Sequence, residues 1–206
     1  MNPSKFLLAA IISILAVSQS LATTGDSVQL TDISVAFAYE SRADIPTSTE
    51  NLAKIISMEY RLAPDEFTAR ELFKKIEPVV VQKLDEAKKT KTWSVHIGDT
   101  LAQYDFKKEA FPTGLSKATF IPYDNYYAVR FSNAEKYEML PVKVETARKL
   151  SEALQRGRAC TMIVEGEILS TKEDKINRTT RKIADIKIKK LTVKLRDDTL
   201  VGTLDR

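Results

Sequence analysis

Between Asp26 and Glu40 two rhythms of apolar and polar residues overlap. Val28 and Leu30 alternate with polar neighbours as in a strand, whereas Ile33, Phe37 and Glu40 fall at helical spacing, so either element is compatible. Helical signals then strengthen. Thr47-Ser48-Thr49-Glu50 has the form of a capping box, with the Thr47 hydroxyl placed to accept from the Glu50 amide. Leu52, Ile55, Ile56 and Leu62 make one apolar stripe, predicting a helix over 48–62 that Pro64 ends. Asp65 and Glu66 open a second helix over 65–89, in which Phe67, Leu72, Phe73, Ile76, Val80 and Leu84 recur at threes and fours. An interior proline loses a hydrogen bond and clashes with the preceding turn, so Pro78 predicts a kink near 74–78 or two helices meeting there.

From Trp93 the period changes to two. Trp93, Val95 and Ile97 alternate with Ser94 and His96, Gly98-Asp99 predicts a turn, and Leu101 to Phe106 predicts a second strand. Thr119–Ile121 and Tyr126–Phe131 are short strands around the turn sequence Pro122-Tyr123-Asp124-Asn125. A helix near 143–156 carries the stripe Val144, Ala147, Leu150, Ala153 and Leu154 and stops at Gly157. Cys160, Met162, Val164 and Ile168 then mark a strand with one wet face, and Ser170 to Thr180 is polar enough to predict a loop. Beyond it, Ala184, Ile186 and Ile188 hold even positions but Leu191, Val193 and Leu195 odd ones. A one-residue slip flips every side chain, so the change of phase predicts a β-bulge at Lys189-Lys190. Asp197-Asp198 turns the chain into a last strand, Leu200 to Leu204.

These elements predict an α+β fold: an N-terminal helical pair packed on an antiparallel β-sheet, with one inserted helix, the sheet being of the kind that can curl into a small barrel or sandwich. The helical part spans 23–92 and the β-rich part 93–206, together one compact domain.

The first residues add an address. Lys5 precedes Phe6 to Val17, a run of 12 residues without charge, and Ser20 and Ala22 fit the small-x-small pattern before a cleavage site. Residues 1–22 therefore read as a signal peptide cut before Thr23, the apolar run being short for a bilayer core of roughly 30 Å. The expected product has no stable transmembrane segment and lies in a bacterial periplasm or the medium. The sole cysteine, Cys160, leaves it free of internal disulfides. Charge changes the picture in one region: residues 156–196 hold 12 basic side chains against five acidic. Such a segment suits a protein or an anionic envelope component as partner, while lysines on sheet edges also simply prevent edge-to-edge association. Nucleic acid is not expected, since no recognition motif occurs and the chain is read as exported.

Chemistry is constrained by a single histidine and a single cysteine. No Cys/His zinc site can be assembled, no Gly-x-Ser-x-Gly elbow accompanies His96, and no phosphate-binding or dinucleotide glycine motif is present, so no cofactor is expected. His96 is expected to face solvent, opposite Trp93, Val95 and Ile97, and Cys160 to lie on the apolar face of its strand. Asp99 with Asp105, or Glu165 with Glu167, are the acid pairs that a hydrolase would use. Aromatic residues supply a different lead. Tyr104, Phe106 and Phe111 cluster in sequence, as do Tyr123, Tyr126, Tyr127 and Phe131. Strand alternation puts at least one of Tyr126 and Tyr127 on a wet face, although aromatic pairs also hold sheets together.

Tyr104-Asp105-Phe106 with Phe111-Pro112, Arg130-Phe131-Ser132-Asn133-Ala134, Leu140-Pro141 before the Ala147 helix, and the stretch Ile183 to Leu204 resemble a family of bacterial exported proteins of uncharacterised function. The resemblance covers residues 93–204; it implies a periplasmic setting and carries no active-site motif. The resulting expectation is a non-enzymatic interaction or accessory domain of the cell envelope, or a secreted one. Its binding residues are expected to be Tyr126, Tyr127, Lys187, Lys189 and Lys190, without catalytic or metal-ligating residues. A carboxylate-dependent hydrolase and a carrier of a small apolar ligand are the alternatives. Converging acids would favour the hydrolase, and a deep pocket lined by Met162, Ile186 and Leu191 the carrier.

Overall fold

The computed structural model describes residues 23–24, 27–124, 126–176 and 178–206; the expected leader at 1–22 lies outside them. In chain order the elements are β1 (Thr23–Thr24), β2 (Ser27–Gln29), α1 (Ser34–Glu40), α2 (Thr49–Ile56), α3 (Met58–Arg61), α4 (Glu66–Lys89) and β3 (Trp93–Thr100). There follow β4 (Ala110–Pro112), β5 (Phe120–Pro122), β6 (Tyr127–Phe131), a 3-10 turn at Ala134–Tyr137 and β7 (Met139–Pro141). The chain closes with α5 (Val144–Lys149), α6 (Ser151–Arg156), β8 (Ala159–Ile176), β9 (Thr179–Leu195) and β10 (Leu200–Asp205).

The overlapping rhythms before residue 41 resolve into both elements. Alternation makes the short β2, and the helical spacing makes α1, whose seven residues are all buried. A helix apolar all round has to lie inside, and α1 does, with α4 on one side and β6 and β9 on the other. Thr31 and Ser34 start it by exchange: the Ser34 amide donates to Thr31 Oγ1 at 3.1 Å and the Thr31 amide to Ser34 Oγ at 2.7 Å.

The helical pair is present but divided differently. Ser48, not Thr47, caps α2, its Oγ accepting from the Asn51 amide at 3.3 Å. The Thr47 amide is already engaged, donating to the buried carboxylate of Glu40 at 2.7 Å, which holds residue 47 outside the helix. Ser57, in extended conformation, splits the predicted 48–62 helix and caps α3 through the Tyr60 amide. Asp65 caps α4, accepting from the Phe67 and Thr68 amides at 2.9 Å each. Pro78 does not divide α4, which runs unbroken over 24 residues. Pro78 is exposed, on the side where water can reach the carbonyl that its missing N–H leaves unpaired.

The sheet has the order β1-β2-β3-β8-β9-β6-β5, an open path rather than a closed barrel. The second side of β9 is shared: β6 pairs with Lys182–Ile186 and β10 with residues 190–194. Most neighbours are antiparallel, but β2–β3 and β6–β9 run parallel, so the sheet is mixed. Parallel neighbours need a long crossover, and α1 through α4 supply it between β2 and β3. The predicted turn at Gly98-Asp99 is absent because β8 continues β3's ladder, with Asp99 opposite Cys160 and Thr100 opposite Ala159. Leu101–Phe106 forms no strand.

The bulge stands where the change of phase put it. Glu165 pairs with Lys190 and Gly166 with Ile188, leaving Lys189 as the extra residue. Ile186, Ile188, Leu191 and Val193 thereby all reach the core. The polar segment from 170 to 180, expected as a loop, instead extends β8 and β9, with β6 alongside β9 as far as Lys182 and a two-stranded ribbon beyond it. There Glu173 stands opposite Lys182 and Asp174 opposite Arg181 in the ladder, while Lys182 is ion-paired with Glu40 and Asp174 with Arg130.

Candidate functional site: a cleft between the aromatic turn and the inserted helices

After β3 the chain is held by its ends. The Leu101 amide donates to the Arg158 carbonyl, and the Arg158 side chain donates back, from Nε to the Leu101 carbonyl at 2.7 Å and from Nη2 to that of Ala102. Asp105 and Ala110 then bridge a tight reversal. Asp105 Oδ1 accepts from the Lys107 and Lys108 amides, and Glu109 takes a positive φ of 47° to close the turn. The reversal sets Phe106 at the tip, 75% exposed, and returns Phe111 beneath Tyr104, fully buried. The Tyr104 ring meets both edge-on, with centroids 5.1 Å from Phe106 and 5.0 Å from Phe111. Its hydroxyl donates to the Val142 carbonyl at 2.6 Å, which ties the aromatic turn to the entry of α5. Burial, with Glu109, Glu145 and Asp105 nearby, holds the Tyr104 phenol above its usual value, so it stays a neutral donor.

Opposite this wall lie α5 and α6, which have no fully buried residue but turn Ala147 and Leu154 toward the core. Between wall and helices opens a cleft of about 450 Å³. Its apolar lining is Tyr104, Phe106, Phe111, Val144, Ala147 and Leu154; its polar lining is Gln103, Arg148, Ser151, Gln155 and Arg158. The volume lies within the ordinary range for small-molecule pockets, as does the mixture of a mostly apolar surface with a few polar groups. A second hollow, behind α6, is bordered by the Arg156–Asp197 ion pair.

The residues expected to bind are dispersed. Tyr126 is 69% exposed, but Tyr127 is buried, its hydroxyl donating to Glu40 Oε1 at 2.8 Å. Burial and that carboxylate push the Tyr127 phenol strongly up. Lys187 is exposed, whereas Lys189 is paired with Glu167 and Lys190 with Glu165, the latter at 3.0 Å. Lys172 and Lys182 also have carboxylate partners, in Asp185 and Glu40, so much of the basic segment is neutralised internally.

The acid pairs do not converge. Glu165 and Glu167 each hold a lysine, Asp105 caps its own turn, and Asp99 accepts from the Thr100 amide. Cys160 is buried on the core face as expected, and burial raises its thiol. His96 pairs across the ladder with Ile163, on the face opposite Cys160, so the two cannot form a dyad. Contrary to the solvent-facing expectation, His96 is half-buried, with its Nε2 enclosed. Burial lowers its pKa, with the nearby Glu165 pulling the other way. Met162, Ile186 and Leu191 are buried members of the core cluster and line neither of the two hollows described above. Among the described residues there is no cluster of three metal-ligating side chains, and no helix is long and apolar enough to cross a membrane.

The aromatic trio of the cleft was visible in the sequence as a cluster. Arg148, Gln155 and Arg158 were not singled out, because α5 and α6 read as one amphipathic helix whose polar edge looks solvated. No protein-family model, curated protein or solved structure matches this chain.

Proposed function

We propose that the chain is an exported bacterial envelope or secreted binding domain, non-enzymatic, that holds a small, largely apolar ligand or partner group in the cleft between Tyr104–Phe111 and α5–α6. The observation that carries this reading is the cleft itself: an open aromatic wall with an exposed ring at its lip, facing helices that add both apolar and polar side chains. An exposed ring beside a concavity covers a ligand with large contact area at little entropic cost. The reading moves the expected binding surface away from Tyr127, Lys189 and Lys190, whose polar groups have internal partners. Export rests on the leader pattern in residues 1–22.

The test is titration with N-phenyl-1-naphthylamine, a neutral fluorophore that brightens in apolar surroundings. Saturable enhancement is expected, and it should be lost in Ala147→Trp, whose indole would fill the cleft. No saturable binding to the parent protein, or full binding to the variant, would remove the cleft from consideration. Intact mass of protein from its native host tests export separately: the expected species begins at Thr23, and material still carrying Met1 would refute cleavage.

A further inference from the structure

The two faces of the inserted helices give the cleft a polarity beyond being apolar. Along α5, α6 and the residue entering β8, Arg148, Ser151, Gln155 and Arg158 follow at spacings of three, four and three, forming one polar stripe along the cleft. Beside it Val144, Ala147 and Leu154 form an apolar stripe that faces the Tyr104–Phe111 wall. Every charged residue lining the cleft is an arginine; no carboxylate lines it. Neither Arg148 nor Arg158 forms an ion pair among the described residues, in contrast to Arg130, held by Asp185 and Asp174, and Arg156, held by Asp197. Arg158 is moreover fixed in place, because Nε and Nη2 donate to the Leu101 and Ala102 carbonyls, which are neutral acceptors. Arg148 is exposed at the rim.

We infer that the cleft recognises a small amphiphilic carboxylate, its apolar body laid on Tyr104, Phe106 and Leu154 and its anionic head met by Arg148 and Gln155 in the field of Arg158. This inference rests on the cleft-binding reading and adds the chemical class of ligand. A carboxylate matches the planar fork of a guanidinium, and a charge-assisted hydrogen bond is about twice as strong as a neutral one. With two arginines and no carboxylate in its lining, the cleft also favours an anionic head over a hydroxyl of similar size, although Glu109, Glu145 and Asp105 lie near Tyr104 and act against it.

The experiment displaces N-phenyl-1-naphthylamine with decanoate and with decanol, each below its aggregation concentration, from the parent protein and from Arg148→Gln. Decanoate is expected to bind about tenfold more tightly than decanol. In Arg148→Gln that preference should vanish through loss of decanoate affinity, with decanol unchanged. Equal binding of the two by the parent, or equal weakening of both by the variant, would overturn the inference while leaving an apolar cleft intact. Failure of both to displace a bound fluorophore would overturn it too. Absence of fluorophore binding in the first place would instead sink the cleft reading on which it stands.

Discussion

Replacing Glu40 by glutamine tests whether the buried charge at the end of α1 holds the helical layer to the sheet. The Glu40 side chain is wholly enclosed, and Oε1 accepts from Tyr127 Oη at 2.8 Å and from Lys182 Nζ at 2.6 Å. Its Oε2 accepts from the Thr47 amide at 2.7 Å. Glutamine keeps one acceptor oxygen and turns the other into a donor. One of the Thr47 amide and the Lys182 ammonium therefore loses its acceptor, and the ammonium loses its counter-charge. Removing one partner of a buried pair costs roughly 3–5 kcal/mol. The Lys182 side chain is 24% exposed, so partial hydration should reduce the cost to about 2–4 kcal/mol. For a chain of this size that lowers Tm by on the order of 10 °C. Urea unfolding followed by the fluorescence of Trp93, the single tryptophan, would measure it. Lys182→Met and the double variant complete a cycle, in which the double variant should cost less than the sum of the two single changes. There is a real alternative sign. A carboxylate at the C-terminal end of a helix opposes its dipole, so if that repulsion dominated, glutamine would stabilise. An unchanged or raised midpoint in Glu40→Gln, or strict additivity, would refute the reasoning.

Three further outcomes follow from the structure. Alanine at Gly166, opposite the bulge, would drive its Cβ into the Lys187 carbonyl oxygen and place it 2.7 Å from Ile186 Cγ2. Gly166→Ala should therefore lower stability by about 3 kcal/mol in urea unfolding, and an unchanged midpoint would mean the β8–β9 ladder yields freely. Pro78 lies exposed inside α4, so Pro78→Ala restores a helical hydrogen bond and should stabilise by about 1–2 kcal/mol in the same assay; a fall in midpoint would show that the proline is required there. The Tyr39 phenol is pushed up to about 12, first by burial and then by Glu173, Glu40 and Asp44. The folded state thus favours the neutral phenol: its contribution is complete below pH 10, the ordinary value, and is lost as pH rises through about 12. Urea midpoints from pH 8 to 12 should fall less steeply in Tyr39→Phe than in the parent, and parallel curves would count against this assignment.

The elements that could be read in advance are those whose cause is local. The alternation at Trp93–Ile97 and Cys160–Val164, the periodicity of α4 and the slipped phase at Lys189-Lys190 each follow from geometry within a few residues. The bulge was legible because register is strict wherever one face must be buried. The misreadings share a different cause. Ser48 rather than Thr47 caps α2, and the Thr47 amide donates instead to Glu40, seven residues earlier. The segment beyond Leu169 looked like a loop because its strands are wet, and the ion pairs of Lys182 with Glu40 and Asp174 with Arg130 that tie it to the rest of the fold come from distant parts of the chain. Pro78 was tolerated because its face of α4 turned out to be the solvent side.

The cleft divides in the same way. That Tyr104, Phe106 and Phe111 would lie near one another follows from seven residues of chain bent at Asp105. That two arginines from the far side of the inserted helices would meet them depended on Arg158 reaching back across more than fifty residues to the Leu101 and Ala102 carbonyls. Short-range sterics and hydrogen bonding act on neighbours and leave their mark in residue order. Burial and charge pairing act between segments that meet only after the chain has closed on itself, so the partner of each is set by packing and not by adjacency.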